Sequence, residues 1–258
     1  LDVAPQPGNE VFDSASVGVL AHPPHLGEQR LAGDRLPFVA HQIAQQRRLH
    51  QRQRLLPTVP AQALLPEIDV LAGNVDLWSA ARLYDTMKPK SPHQEWMFRM
   101  MEMTRERLNE SQLEWLDKRP FSITFSQDLG HDFHVFHGTP YDIGDSDAFP
   151  FRLTDDEVAE KLKGYDYDLM AHGHIHGPSV RNIPRADGKK QQLVCAAAVG
   201  MSWDGDPRPS YAVVDYMDKG QWDCRVERIE FDSEAQAKFN EDSWIEHGER
   251  IAGMIRSG

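Results

Sequence analysis

The chain has 258 residues, 40% hydrophobic and 26% charged, an ordinary folded-protein balance with room for one large domain or two small ones. Its formal net charge of −12 argues against a general nucleic-acid binder, but not against an enzyme of phosphates, because bound cations can build a local positive site. No apolar run approaches the ~20 residues of a membrane span and nothing reads as a signal peptide. The two cysteines, Cys195 and Cys224, lack metal-type spacing, so a reducing cytoplasm is the expected compartment and both thiols are read as buried and inert.

Residues 1 to 68 differ from the rest. They contain none of the protein's 9 Met, 6 Trp or 6 Tyr and are rich in Gln, Arg, His, Leu and Pro. Residues 38 to 56 favour helix but carry only a weak apolar stripe. Two readings stand: a poorly patterned, partly disordered segment, or one that is not the native start of its domain, through a misplaced frame or a truncated gene. The domain proper is expected over residues 69 to 258.

From Asp69 the signals become regular. "IDVLAG" reads as a buried strand and "NVDLW" as the loop after it. Ser91-Pro92 starts a helix whose Trp96, Met97, Met100, Met101 and Leu108 form a core-facing stripe. Ser111 and Glu114 have capping-box spacing for the next helix, which ends before Pro120. Two β-like runs, "FSITFS" and "DFHVFH", are joined by "QDLGH". Thr154 and Glu157 cap a helix that runs through Leu162 and is ended by Gly164. "YDLMAHG" is a strand, hairpins turn at "RADGKK" and "MDKGQ", and one last helix spans residues 233 to 256. This order predicts an α/β or α+β domain with a mixed sheet.

The stretch "DLMAHGHIHGP" spaces histidines at 172, 174 and 176 where an apolar run ends. On an extended segment such residues share a side, and a strand end aims them at one point. Neutral imidazole is the commonest side-chain ligand of first-row metals, so His174 and His176 are candidate ligands. His172 could instead be hydrogen-bonded within the strand. Two other predicted strand ends offer polar groups beside glycine: "VLAGNVD", with Asn74 and Asp76, and "HVFHGTP", with His137. Three such ends can converge at one sheet edge, where α/β proteins bind ligands. "YDIGDSD" (141–147) and "WDGDPRP" (203–209) read as solvated loops, the latter including Arg208.

The ordered set "GNVD" (73–76), "HG" (137–138) and "GHIH" (173–176) resembles the calcineurin-like metallophosphoesterase superfamily, in particular small phosphodiesterases of the YfcE-like type. The resemblance covers residues 69 to 258, including "AAAVGMSWDGDPRPSYAVVD" after the last block. It implies an αββα sandwich of two mixed sheets flanked by helices, with an atypical or incomplete N-terminal part. It further implies a two-metal site that hydrolyses a phosphate ester, with Asn74, His137 and His174 on the second ion and His176 on the first. Asp76 would support the ligands, and with His137 and His174 it makes up the implied catalytic set. Manganese is the first expectation, with iron, zinc or nickel also suited to such ligands. Val75 stands where many members have a histidine that assists the leaving group.

The family's first two blocks are not found. No Asp-x-His occurs in residues 1 to 68, and Asp13, His22 and His25 are wrongly spaced. Gly33-Asp34 is the only stand-in for the bridging aspartate; it reads better as a surface turn, and no first strand is recognisable ahead of it. The alternative to an active phosphoesterase, probably a phosphodiesterase in family terms, is therefore a degenerate or truncated chain binding one ion or none. The expected partner is a small phosphorylated substrate, with neither membrane nor nucleic acid; the substrate's identity and the oligomeric state stay open.

Overall fold

The computed structural model describes residues 19–21 and 69–258, except 82, 127–130, 145–147, 151 and 219–220. Two sheets organise it. The larger has the order β2-β3-β4-β6-β5, with β2 at Ser122–Ser126, β3 at Asp132–Phe136, β4 at Leu169–His172, β5 at Ser179–Pro184 and β6 at Lys190–Cys195. In it β3, β4 and β6 run parallel, while β2 and β5 are antiparallel edges. The smaller has the order β1-β7-β8, from Val19–Ala21, Ser210–Asp218 and Gln221–Arg228. This is the mixed two-sheet α/β architecture expected from the sequence.

Strand periodicity explains how the sheets stack. Side chains alternate across a strand, so Phe133, Val135, Leu169, Ala171 and Val194 face the smaller sheet, where they meet Ala212, Val214 and Trp222 in one buried cluster. The alternate set, Phe136, Met170 and Leu193, turns the other way and packs against Phe149, Val158 and Leu162. A parallel strand covered on both faces must be apolar throughout, which is why "DLMAH" and "LVC" read as continuous runs.

Seven helices lie among the described residues: α1 at Asn74–Ala80, α2 at Leu83–Thr86, α3 at Pro92–Arg107, α4 at Glu110–Asp117, α5 at Asp155–Lys161, α6 at Ser233–Asp242 and α7 at Gly248–Ser257. Helix α3 starts as expected, with Ser91 Oγ accepting from Gln94 N–H at 3.2 Å and Pro92 in its first turn. Its fully buried residues are Met101 and Met103 rather than the whole predicted stripe. It is tied to the α6–α7 turn by Arg99 to Glu246 and by Arg107 lying 3.1 Å over the Trp244 ring. Helix α5 has the expected Thr154–Glu157 box, and Gly164 follows it with a left-handed φ of 88°.

Several elements differ from the sequence reading. Residues 69–73 join neither sheet; Ala72 N–H instead donates to the Pro120 carbonyl at 3.1 Å, and "NVDLW" opens helix α1 rather than a loop. The apolar run is real, but among the described residues it forms no ladder. Helix α4 begins earlier than Ser111, because Asn109 and Gln112 form the reciprocal cap. The predicted last helix is two: Ser243 Oγ takes up the Asn240 carbonyl, His247 is left-handed, and Gly248 lets α7 cross directly over α6. A Cβ at Gly248 would stand 2.0 Å from the Asn240 carbonyl oxygen. Finally, β1 exists at Val19–Ala21, parallel to β7, inside the segment where no first strand was recognised. It belongs to the same compact unit as the residues from Val70 onward. The turns at "QDLGH" and "MDKGQ" fall partly, and Asp13, His22, His25, Gly33 and Asp34 wholly, outside the described residues. Among the described residues no helix is long and apolar enough to cross a membrane.

Candidate metal centre

The parallel run of β3, β4 and β6 brings three strand ends to one edge, where the chain leaves each strand in a loop. His137 follows β3. The loop after β4 carries His174 and His176, and Gly173 N–H in that loop donates to the His137 carbonyl at 3.0 Å. Helix α1 arrives from the side with Asn74 in its first turn.

Asn74, His137 and His174 meet. The Asn74 Oδ1 lies 2.9 Å from His137 Nε2 and 3.2 Å from His174 Nδ1, and the two ring nitrogens are 3.3 Å apart. The imidazoles are nearly perpendicular, at 74°, so their lone-pair edges rather than their faces converge. Asn74 and His137 are both 8% exposed. Burial, then the neighbouring histidines, push the His137 pKa down to about 3, so this ring is neutral at physiological pH and can offer a lone pair.

Glycine at 73 permits the approach. A Cβ there would stand 2.9 Å from Asp76 Oδ2 and 3.4 Å from His137 Cε1. Asp76 Oδ2 accepts the Gly73 N–H at 2.8 Å, fixing the turn that aims Asn74. A carboxylate in the first helical turn also suits the positive end of the helix dipole.

The histidine cluster converges by a different route from the one its spacing suggested. Strand β4 ends at His172, and His174 and His176 have φ of 65° and 53°. They are therefore not on an extended segment. His172 faces the opposite core, against Phe136 and Phe149, with its Nδ1 3.1 Å from the Gly173 carbonyl. Left-handed backbone at two non-glycine residues costs energy. Of the six such residues described, four (His174, His176, Ala197 and Met201) lie in the loops after β4 and β6. Backbone strain among the described residues is therefore concentrated at this one sheet edge.

His176 sits beside the triad. Its Nδ1–H donates to the Met201 carbonyl at 2.8 Å, which leaves Nε2 as the lone-pair nitrogen. Burial lowers its pKa, a shift the Met201 bond partly offsets. The Trp203 ring packs on it with centroids 4.6 Å apart. Neither Met201 nor Trp203 was singled out from sequence. The only signal for them was the loop's place after β6.

The triad's dimensions suit a cation. A point equidistant from three donors so spaced lies about 1.8 Å from each, and an ion ~2.1 Å from each would sit roughly 1 Å above their plane. Two imidazole nitrogens and a carbonyl oxygen are ligands that Mn²⁺, Fe²⁺ and Zn²⁺ accept. Among the described residues, however, no three His, Cys, Asp or Glu side chains gather as a metal site. The carboxylate half of a two-ion centre is not found among them.

Arg208 has structural partners, Asp206 at 2.7 Å and Glu230 at 3.0 Å. Cys195 is buried in β6 and Cys224 half-buried in β8.

No family profile matches the chain, and no curated protein resembles it in sequence. Solved structures do match in three dimensions. A metallophosphoesterase from Sphaerobacter thermophilus superposes with a TM-score of 0.52 at 18% identity, over 76% of this chain and 79% of the other. A hypothetical protein from Pyrococcus horikoshii OT3 superposes with a TM-score of 0.55 at 15% identity, over 74% and 75%. The two stacked sheets and their flanking helices share the fold of these solved structures, one of which is a metallophosphoesterase.

Proposed function

We propose that the protein is a metal-dependent phosphoesterase whose ion is held by Asn74, His137 and His174, with His176 beside it. One observation carries the reading: donor atoms from three separate chain segments lie 2.9–3.3 Å apart at the sheet edge. A divalent cation there supplies Lewis acidity toward phosphoryl oxygens and lowers the pKa of water.

The chain's own residues do the rest. Burial keeps His137 neutral, so protons do not compete for its nitrogen near neutral pH. Asp76 holds the Gly73–Asn74 turn and so the amide oxygen's aim. The Met201 carbonyl fixes the His176 tautomer and leaves the lone pair on Nε2. Val75 offers no proton, so the leaving group takes its proton from solvent or departs without one. This favours esters whose leaving group departs readily without protonation, such as aryl esters.

A second reading is supported by the lack of any His, Cys, Asp or Glu trio among the described residues. In it the chain keeps the triad but holds a single ion and hydrolyses slowly. Metal content separates the two. The chain is saturated with Mn²⁺, desalted and analysed, then assayed on bis(p-nitrophenyl) phosphate. Two retained ions and chelator-sensitive hydrolysis are the expected result for the first reading; one ion with a trace of activity indicates the second. Retention unchanged in His174→Ala would overturn both.

A further inference from the structure

Tryptophan is seldom left in water without cause, yet Trp203, next to the proposed centre, is 61% exposed. It is also firmly held. Its ring packs on His176 at a 31° tilt, its backbone N–H donates to the His176 carbonyl at 3.1 Å, and Met201 two residues earlier accepts the His176 Nδ1–H. The chain beyond is braced as well. Asp204 pairs with Arg228, Asp206 pairs with Arg208, and Gly205 N–H donates to the Gly258 carbonyl at 3.0 Å.

These ion pairs have a consequence for charge. The carboxylates one and three residues after the indole, Asp204 and Asp206, are each paired with an arginine, which offsets their repulsion of an approaching phosphate. Val199, four residues earlier in the same loop, is 54% exposed as well. An indole that served only to cover His176 would itself be largely covered. This one keeps most of its surface open at the rim of the site.

We propose that Trp203 is a stacking platform for a planar aromatic group on the substrate, and that the substrates are nucleotide phosphoesters rather than sugar or glycerol phosphates. The inference rests on the phosphoesterase reading only for the place of the phosphate. Every nucleobase has a π-face, and stacking on a fixed indole needs no hydrogen-bond readout, so the platform selects for a base without selecting which base.

The test compares two probes that carry the same anion, adenosine 5′-phosphorothioate and glycerol phosphorothioate, titrated calorimetrically into the full chain with Mn²⁺. The wild type is expected to bind the adenosine probe about tenfold or more tightly, which corresponds to about 1.4 kcal/mol. Trp203→Ala abolishes that preference and Trp203→Phe retains most of it, with circular dichroism unchanged in both. A preference that survives in Trp203→Ala, or none in the wild type, overturns the proposal. Hydrolysis of diesters tells the two readings apart. If hydrolysis proceeds and Trp203→Ala leaves KM for nucleotide esters unchanged, only the platform fails. If Trp203-dependent adenosine binding is found with no ion retained and no turnover, only the phosphoesterase reading fails.

Discussion

Asp76 provides a sharp test because one side chain is assigned two jobs. Its Oδ2 accepts the Gly73 N–H at 2.8 Å, and the residue between them, Asn74, supplies the triad's oxygen. Asp76→Ala removes the acceptor from a helix start that has no other side-chain cap from Gly73. Loss of such a cap costs roughly 0.5–2 kcal/mol, and at about 2–4 °C per kcal/mol for a domain of this size the melting temperature should fall by several degrees. Loss of a group that orients a ligand typically lowers metal affinity by about 10–100-fold. Asp76→Asn keeps an oxygen at the same place, so it should recover most of the stability and part of the affinity. Thermal melting of the metal-free chain and Mn²⁺ titration measure the two effects independently. A metal affinity for Asp76→Ala equal to wild type, with the melting temperature lowered as expected, would show that the turn does not aim Asn74 and would refute the supporting role.

Three further outcomes are expected. Gly248→Ala, whose Cβ would stand 2.0 Å from the Asn240 carbonyl, should destabilise the chain by about 1–3 kcal/mol in urea unfolding, because backbone rather than a flexible side chain must move. Burial raises both thiols, Cys195 and Cys224, to about 12, so at pH 8 only about one in 10⁴ is thiolate; a disulfide reagent should label neither until urea unfolds the chain, and fast labelling of the native protein would contradict this. Burial lowers the His134 pKa below its ordinary 6.5, so its contribution to stability is present above pH 6.5 and is lost as pH falls below it; His134→Gln should lessen the fall in urea midpoint between pH 7 and 5.5, and an unchanged slope would count against burial as the cause.

Much of the fold is legible in local pattern. The caps at Ser91 and Thr154 and the near-continuous apolar runs of the parallel strands β3 and β4 follow from short-range chemistry that a sequence displays directly. Asn74, His137 and His174 could be picked out because "GNVD", "HG" and "GHIH" follow one another in the order of the family they resemble, although each block is weak on its own. What local pattern hides is direction. The histidine spacing suggested one shared face, but two left-handed residues intervene and His172 turns into the core instead. "IDVLAG" has a strand's composition, yet whether an apolar run joins a ladder depends on a neighbouring strand that no local window contains. The break at 243–247 likewise depends on how closely α7 crosses α6, which Gly248 permits but its neighbours do not announce.

The left-handed backbone at His174 and His176 also shapes how this chain can drift. At such φ values glycine is unstrained, asparagine and aspartate are tolerated better than most residues, and β-branched side chains are strongly disfavoured. Substitutions that spare the fold at these two positions are thus drawn from a short set, and two of its three members carry an oxygen that can bind a cation. If the proposed centre holds an ion, a descendant that lost its imidazoles would pass through weaker oxygen-ligand versions of it rather than lose it in one step.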